Sequence, residues 1–187
     1  MEKQKFNWPK FENLVHYVIA SCPDTAKLGS VKLHKILWKA DTAHYSIHRR
    51  SITGAKYVKR QWGPTAKALL RARESLSTDG KIRNWRDHGF SFGHPKDVYV
   101  SQKPPQAMLS AEEQQIVDHW VREIVLKHTA ESISEDSHGY AWEIAAMGEE
   151  LPMNSVFVER IKEEPSDKAL GWAKEEARRL GLGDCGA

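Results

Sequence analysis

The stretch Lys32-Leu33-His34-Lys35-Ile36-Leu37-Trp38, with Trp62-Gly63-Pro64 behind it, constrains the fold of this chain more than any other feature. In the first piece Leu33, Ile36, Leu37 and, further on, Ala40 recur at helical spacing, which predicts an amphipathic helix with those residues in the core. The second piece reads as a turn that opens another helix, with Pro64 as its first residue. Neither piece sets a nucleophile beside a base. Together they predict a scaffold that binds something rather than an enzyme, with no catalytic residue, cofactor or metal expected.

A chain of 187 residues suits one domain, or one with an appendage. Hydrophobic residues make up 40% of it and seven are Trp, enough for a real core and richer than a disordered chain. No apolar run approaches the roughly 20 residues that span a bilayer. The charged segment Met1 to Lys10 is not followed by the apolar stretch of a secretory leader. Cys22 and Cys185 stand far apart without metal-type spacing, so a reducing cytoplasm is the expected setting. The net charge of +3 conceals an asymmetry. Lys27 to Arg86 holds 15 Lys or Arg against three acids, and Leu109 to Glu164 holds four against 13 acids. Such a chain either pairs its halves internally or offers a basic face to an anionic partner, and both remain open here.

The expected fold is mainly α, a compact helical domain with a small β-hairpin or short extended segments. Asn7 caps a first helix over Trp8 to Ser21, striped by Phe11, Leu14, Val15, Val18 and Ile19. Cys22 to Gly29 reads as a loop, and Ser30 caps a helix to about His48 lined by Leu33, Ile36, Leu37, Ala40 and Ile47. Arg49 to Gln61 is extended or a short strand. A helix after Pro64 turns Ala68, Leu69 and Leu76 inward. Asp79-Gly80 is a turn signal ahead of a hairpin formed by Lys81 to Asp87 and Asp97 to Ser101. Ser110-Ala111-Glu112-Glu113 is a capping box. It opens a helix to about His128 with Ile116, Trp120, Ile124 and Val125 inward. Short helices follow over 130–136 and 140–147, then an extended piece at Val156 to Ile161. Residues 1–165 read as one helical domain. Residues 166–187 add a helix capped by Ser166 and a short tail, packed on or trailing that domain.

Four motifs then stand in order: Lys32, Leu33, Lys35, Ile36, Leu37 and Trp38; Trp62, Gly63 and Pro64; Leu109, Ser110, Glu112 and Glu113; and Ser137, His138 and Trp142. This order, spread over Phe11 to Phe157, resembles the Panacea domain, the SocA-like antitoxin family of bacteria and their phages. Ala141 stands where that family usually has Pro, and Lys81 to Lys103 is longer and more basic than its pattern. The resemblance implies an antitoxin that binds and neutralises a cognate protein toxin encoded nearby, in some members as an adaptor for an ATP-dependent protease. It also implies that Lys32, Leu33, Lys35, Leu37, Trp38, Trp62, Gly63, Pro64, His138 and Trp142 are structural or partner-binding.

Two other readings come from the residues themselves. The basic 49–86 region contains Arg71, Arg73, Arg83 and Arg86 with Trp85 among them. Arginines and an aromatic can follow phosphates and stack on bases, the chemistry of a nucleic-acid-binding regulator, and the same set could meet an acidic protein. Asp41, His44 and His48 share a helical face and could ligate a divalent ion in a metal-dependent hydrolase. A metal site also needs a second shell and a further ligand, and neither is evident.

Overall fold

The computed structural model describes residues 4–89, 93–159, 171, 175–176 and 178–179. The fold is mainly α with minor β. In chain order it runs α1 (Trp8–Ala20), α2 (Thr25–His48), β1 (Tyr57–Arg60), β2 (Gly63–Ala66), α3 (Leu69–Thr78), β3 (Ile82–His88), β4 (Pro95–Ser101), α4 (Ala111–Lys127), α5 (Ala130–Asp136), α6 (Tyr140–Ile144) and β5 (Glu150–Leu151). A 3-10 turn at Met153–Ser155 and α7 (Val156–Glu159) follow.

The long helix α2 is the hub. It touches α1, α4, α5, β2 and β4. Its residues Leu33, Ile36 and Leu37 have no exposed surface, and Trp38 is buried with them. The α1 stripe of Phe11, Leu14, Val15, Val18 and Ile19 joins the same core. Asn7 caps α1 by accepting from the Lys10 amide at 3.1 Å. Ser110 and Glu113 close the expected capping box at the start of α4.

Two small antiparallel sheets flank the helices. One has the strand order β2-β1-β5 and the other is the β3-β4 hairpin. The hairpin pairs Ile82 with Ser101 through His88 with Pro95, where the sequence placed it, and β4 packs on α1 and α2.

Several expectations need correction. Helical structure begins at Thr25, capped by the Asp24 carboxylate, rather than at Ser30. Gly29, at φ 61° and ψ 167°, then breaks the helix, so one turn precedes the main segment. Ile47 is exposed rather than inward, because the last turn of α2 runs beyond the core. Pro64 opens no helix. It lies in β2 opposite Lys59, on an edge strand where its missing N–H costs no ladder bond, and α3 begins at Leu69. In α4 the inward row is Val117, Val121, Ile124 and Val125, while Ile116 and Trp120 pack only partly against it. The α6 helix ends at Ile144 rather than Met147, and Val156–Glu159 is helical rather than extended. The remainder of that extended piece, most of the helix expected from Ser166, and Cys185 lie outside the described residues.

The two charged halves partly pair internally. Lys39 meets Asp136 and Lys56 meets Glu150, each at 2.8 Å. These are surface pairs, each worth about 0–1 kcal/mol. Among the described residues no helix is long and apolar enough to cross a membrane.

Candidate functional site

Three of the ordered motifs converge on one spot. Lys35 on α2 is the centre, a lysine only 1% exposed. Its ammonium reaches the turn between β1 and β2, donating to the carbonyl oxygens of Trp62 and Pro64. Arg60 pairs with Gly63, so Gln61 and Trp62 form a two-residue hairpin loop. Gly63 has φ 90°, a region that favours glycine. A Cβ there would run into the Ser137 hydroxyl and the Lys35 ammonium. Glycine is therefore required twice, by its backbone angle and by its neighbours. Gly63 and Pro64 are buried by this packing, whereas Trp62 at the tip is 58% exposed.

The third motif closes the cluster from the α5–α6 connection. His138 and Trp142 stack face to face, with ring centroids 3.6 Å apart and an angle of 5° between planes. The Trp142 indole N–H donates to the Arg60 carbonyl at 3.1 Å, and the Lys59 ammonium sits 4.2 Å from the Trp142 ring centroid. Sequence reasoning did not single out Lys59 or Arg60. Their position one residue ahead of Trp62-Gly63-Pro64, with only Gln61 between, was the available signal.

The electrostatics follow from burial. Desolvation, helped by the nearby Lys39 charge, pulls the Lys35 pKa from 10.5 to about 7. Burial and then the Lys35 charge lower the His138 pKa, which favours a neutral ring. Next to Lys35, His34 is pushed down to about 3 by burial and by the Lys35 and Arg73 charges. As a neutral ring its Nδ1 accepts from the Ala66 amide at 3.3 Å, tying β2 to α2. Ser137 donates to the Ser134 carbonyl at 2.7 Å. Among the described residues no hydrogen bond joins Ser137 to Lys35 or to His138. The observed bonds hold a tight hairpin in place, and none of them pairs a nucleophile with a base.

The remaining motif residues divide by role. Leu33, Leu37 and Trp38 are core, and Trp38 meets Tyr57 edge-on at a centroid separation of 5.0 Å. Lys32 is also buried, and its ammonium donates to the Val125 carbonyl at 3.3 Å.

The hydrolase trio does not assemble around one point. Asp41 is fully buried and accepts from the Ile52 amide at 2.8 Å and the Tyr57 hydroxyl at 2.7 Å. Burial raises its pKa from 3.8 to about 6 against these bonds. Its carboxylate pins the segment after α2 to the helix. The His44 and His48 rings do lie together, 4.4 Å between centroids, but His44 bonds the Arg50 carbonyl and His48 bonds Glu112. Among the described residues no group of three or more His, Cys, Asp or Glu is placed to hold a metal ion. The Cys22 thiol bonds the Asp24 carbonyl, and burial raises its pKa.

The basic set is split as well. The Arg71 guanidinium lies 4.5 Å from the Trp8 ring centroid. Arg73 bonds the Tyr99 hydroxyl at 2.7 Å and approaches Asp97 at 3.7 Å. Arg83 and Trp85 are two apart on β3 and share a face, with the guanidinium 5.3 Å from the Trp85 ring centroid. Arg86 is on the other face and pairs with Asp97 at 3.2 Å. These five side chains do not form one continuous strip.

The family model described as antitoxin SocA-like, Panacea domain, matches residues 33–143. That interval contains Lys35, the Trp62-Gly63-Pro64 hairpin and the His138–Trp142 stack. No curated protein and no solved structure matches the chain.

Proposed function

This chain belongs to the SocA-like antitoxin family that carries the Panacea domain, and on that premise we propose that it binds and neutralises a cognate protein toxin. Family membership is the observation that carries the proposal. The structure adds a reason to place the contact beside the motif cluster. Tyr140, Ile144 and Met147 are all largely exposed, with Ile144 at 69%. Tyr140 and Ile144 are four residues apart on α6 and so share a face. This apolar ridge stands immediately behind His138 and Trp142, which bolt α6 to the β1–β2 hairpin. Exposed aromatic and large aliphatic side chains on a rigid base are the usual energetic anchors of a protein interface. The charge asymmetry then contributes to association rate and specificity more than to affinity.

Co-expression with a neighbouring gene tests the reading. The toxin gene alone should stop growth, and the wild-type chain should restore it. The double variant Tyr140→Asp, Ile144→Asp should lose that rescue while keeping the wild-type melting temperature, because both side chains are exposed. A harmless neighbour, or a toxic one that forms no complex and is not rescued, would refute the proposal. Following toxin abundance with and without an ATP-dependent protease separates direct inhibition from delivery. Only delivery makes the toxin disappear.

A further inference from the structure

A cleft of about 800 Å³ lies between the start of α2, the β3–β4 hairpin and the end of α4. Lys27, Lys32, Arg86, Lys96 and Lys127 line it, Asp97 is the acid in its wall, and Trp62 stands at its edge. Lys32 is the unusual member. It is 6% exposed, it donates to one backbone carbonyl at 3.3 Å, and among the described residues no carboxylate comes within ion-pair distance of it. Burying an ammonium without a counter-charge is expensive, and such a cost is tolerated where a ligand supplies the charge. Burial and then the Lys96 charge lower the Lys32 pKa, the strain that a bound anion would relieve. Gly29 breaks α2 at this wall and the main segment restarts at Ser30, so the positive end of that helix dipole adds to the cationic field.

The rest of the lining mixes apolar residues with the polar side chains of Ser30, His94, His128 and Thr129. Leu28, Val31 and Val125 form part of it. Lys27, Arg86 and Lys127 pair with Asp24, Asp97 and Glu123, and Lys96 donates to the Ala26 carbonyl, so Lys32 is the cation whose burial asks for an anion. A volume in the range of small-molecule sites, partly apolar walls, an accessible indole and this buried ammonium describe a ligand with a flat ring and an anionic tail. We propose that this cleft binds a nucleotide, with its phosphates on Lys32 and Lys96 and its base against Trp62. The proposal does not rest on toxin binding, and the purified chain alone tests it.

Calorimetric titration with ATP, GTP and inorganic pyrophosphate at about 0.15 M salt is the experiment. ATP or GTP should bind saturably at one site, and more tightly than pyrophosphate. Trp62→Ala should weaken binding about tenfold through lost stacking, with an unchanged melting temperature because the indole is mostly exposed. Lys32→Met should weaken it at least about tenfold through the lost charge-assisted bond. Lys96→Gln, at the cleft wall, provides the same readout if Lys32→Met does not fold. Absence of saturable nucleotide binding would overturn the proposal. So would wild-type affinity in both the Trp62 and the lysine variants, or pyrophosphate binding as tightly as ATP. A single-stranded oligonucleotide that displaces ATP with higher affinity would reassign the cleft to nucleic acid and overturn it too.

Discussion

Lys35 shows how one side chain can hold a site together and also make stability depend on pH. Its amine titrates near 7 when folded and near 10.5 otherwise. Between those values the unfolded chain keeps the proton and the folded chain releases it. Stability therefore rises as pH climbs from about 7 towards 10, and the cost of the buried charge is fully present below 7. The variant Lys35→Met should flatten this part of the curve relative to wild type when melting is followed across pH 6 to 10. An equally steep curve would assign the dependence to another group. Gly63 is the second test of the same cluster. Gly63→Ala should cost at least about 1–3 kcal/mol, from its positive φ and from contact with Ser137 and Lys35. Denaturant unfolding would read that loss, and a neutral effect would mean the hairpin relaxes freely.

The helices α1, α2, α4 and α5 are each started by a capping side chain, from Asn7, Asp24, Ser110 and Thr129. The α4 capping box is reinforced from outside the helix. Glu113 accepts from the Ser110 amide at 2.9 Å with one carboxylate oxygen and from Lys10 of α1 at 2.6 Å with the other. Ser110→Ala should cost about 1 kcal/mol in thermal unfolding. Glu113→Ala should cost more, because it also breaks the tie between α1 and α4, and equal losses would show that the tie adds nothing. The α4 register decides which of two apolar rows faces the core. Ile116 with Trp120 and Val117 with Val121 are both apolar pairs at helical spacing, and periodicity alone cannot rank them. Packing against α2 buries the valines and leaves the Trp120 indole at the margin, 5.6 Å beneath Lys39.

The molecule as a whole is organised around α2, and Trp62 links the Lys35 cluster to the cleft at the start of that helix. The described core is built from Phe11 to Leu151, and the family match ends at residue 143. We expect residues 166–187 to be dispensable for this fold. A chain truncated after Pro165 should melt at the wild-type temperature in a thermal scan, and a marked drop would show that the C-terminal segment completes the core. The internal ion pairs Lys39–Asp136 and Lys56–Glu150 cancel only part of the charge asymmetry. Anion binding at Lys32 in the proposed cleft should therefore weaken as salt rises.

Local chemistry was readable from the chain: the α1 and α2 stripes, the Asn7 and Ser110 caps, the 82–101 hairpin and the order of motifs that marks the family. The stripes, caps and hairpin depend on residues close together in the chain, and each motif is itself a short local pattern, so spacing and side-chain type suffice. The fate of Pro64 was not readable, because a proline suits a first helical turn and an edge strand equally well, and the pairing of β1 with β2 selects the strand. Nor could spacing tell that Asp41 accepts from Ile52 and Tyr57 rather than holding a metal, or that Lys32 and Lys35, three residues apart, bond different carbonyls, of Val125 and of Trp62 and Pro64. Those outcomes depend on which distant carbonyls, rings and carboxylates arrive beside each group, and long-range packing alone brings them there.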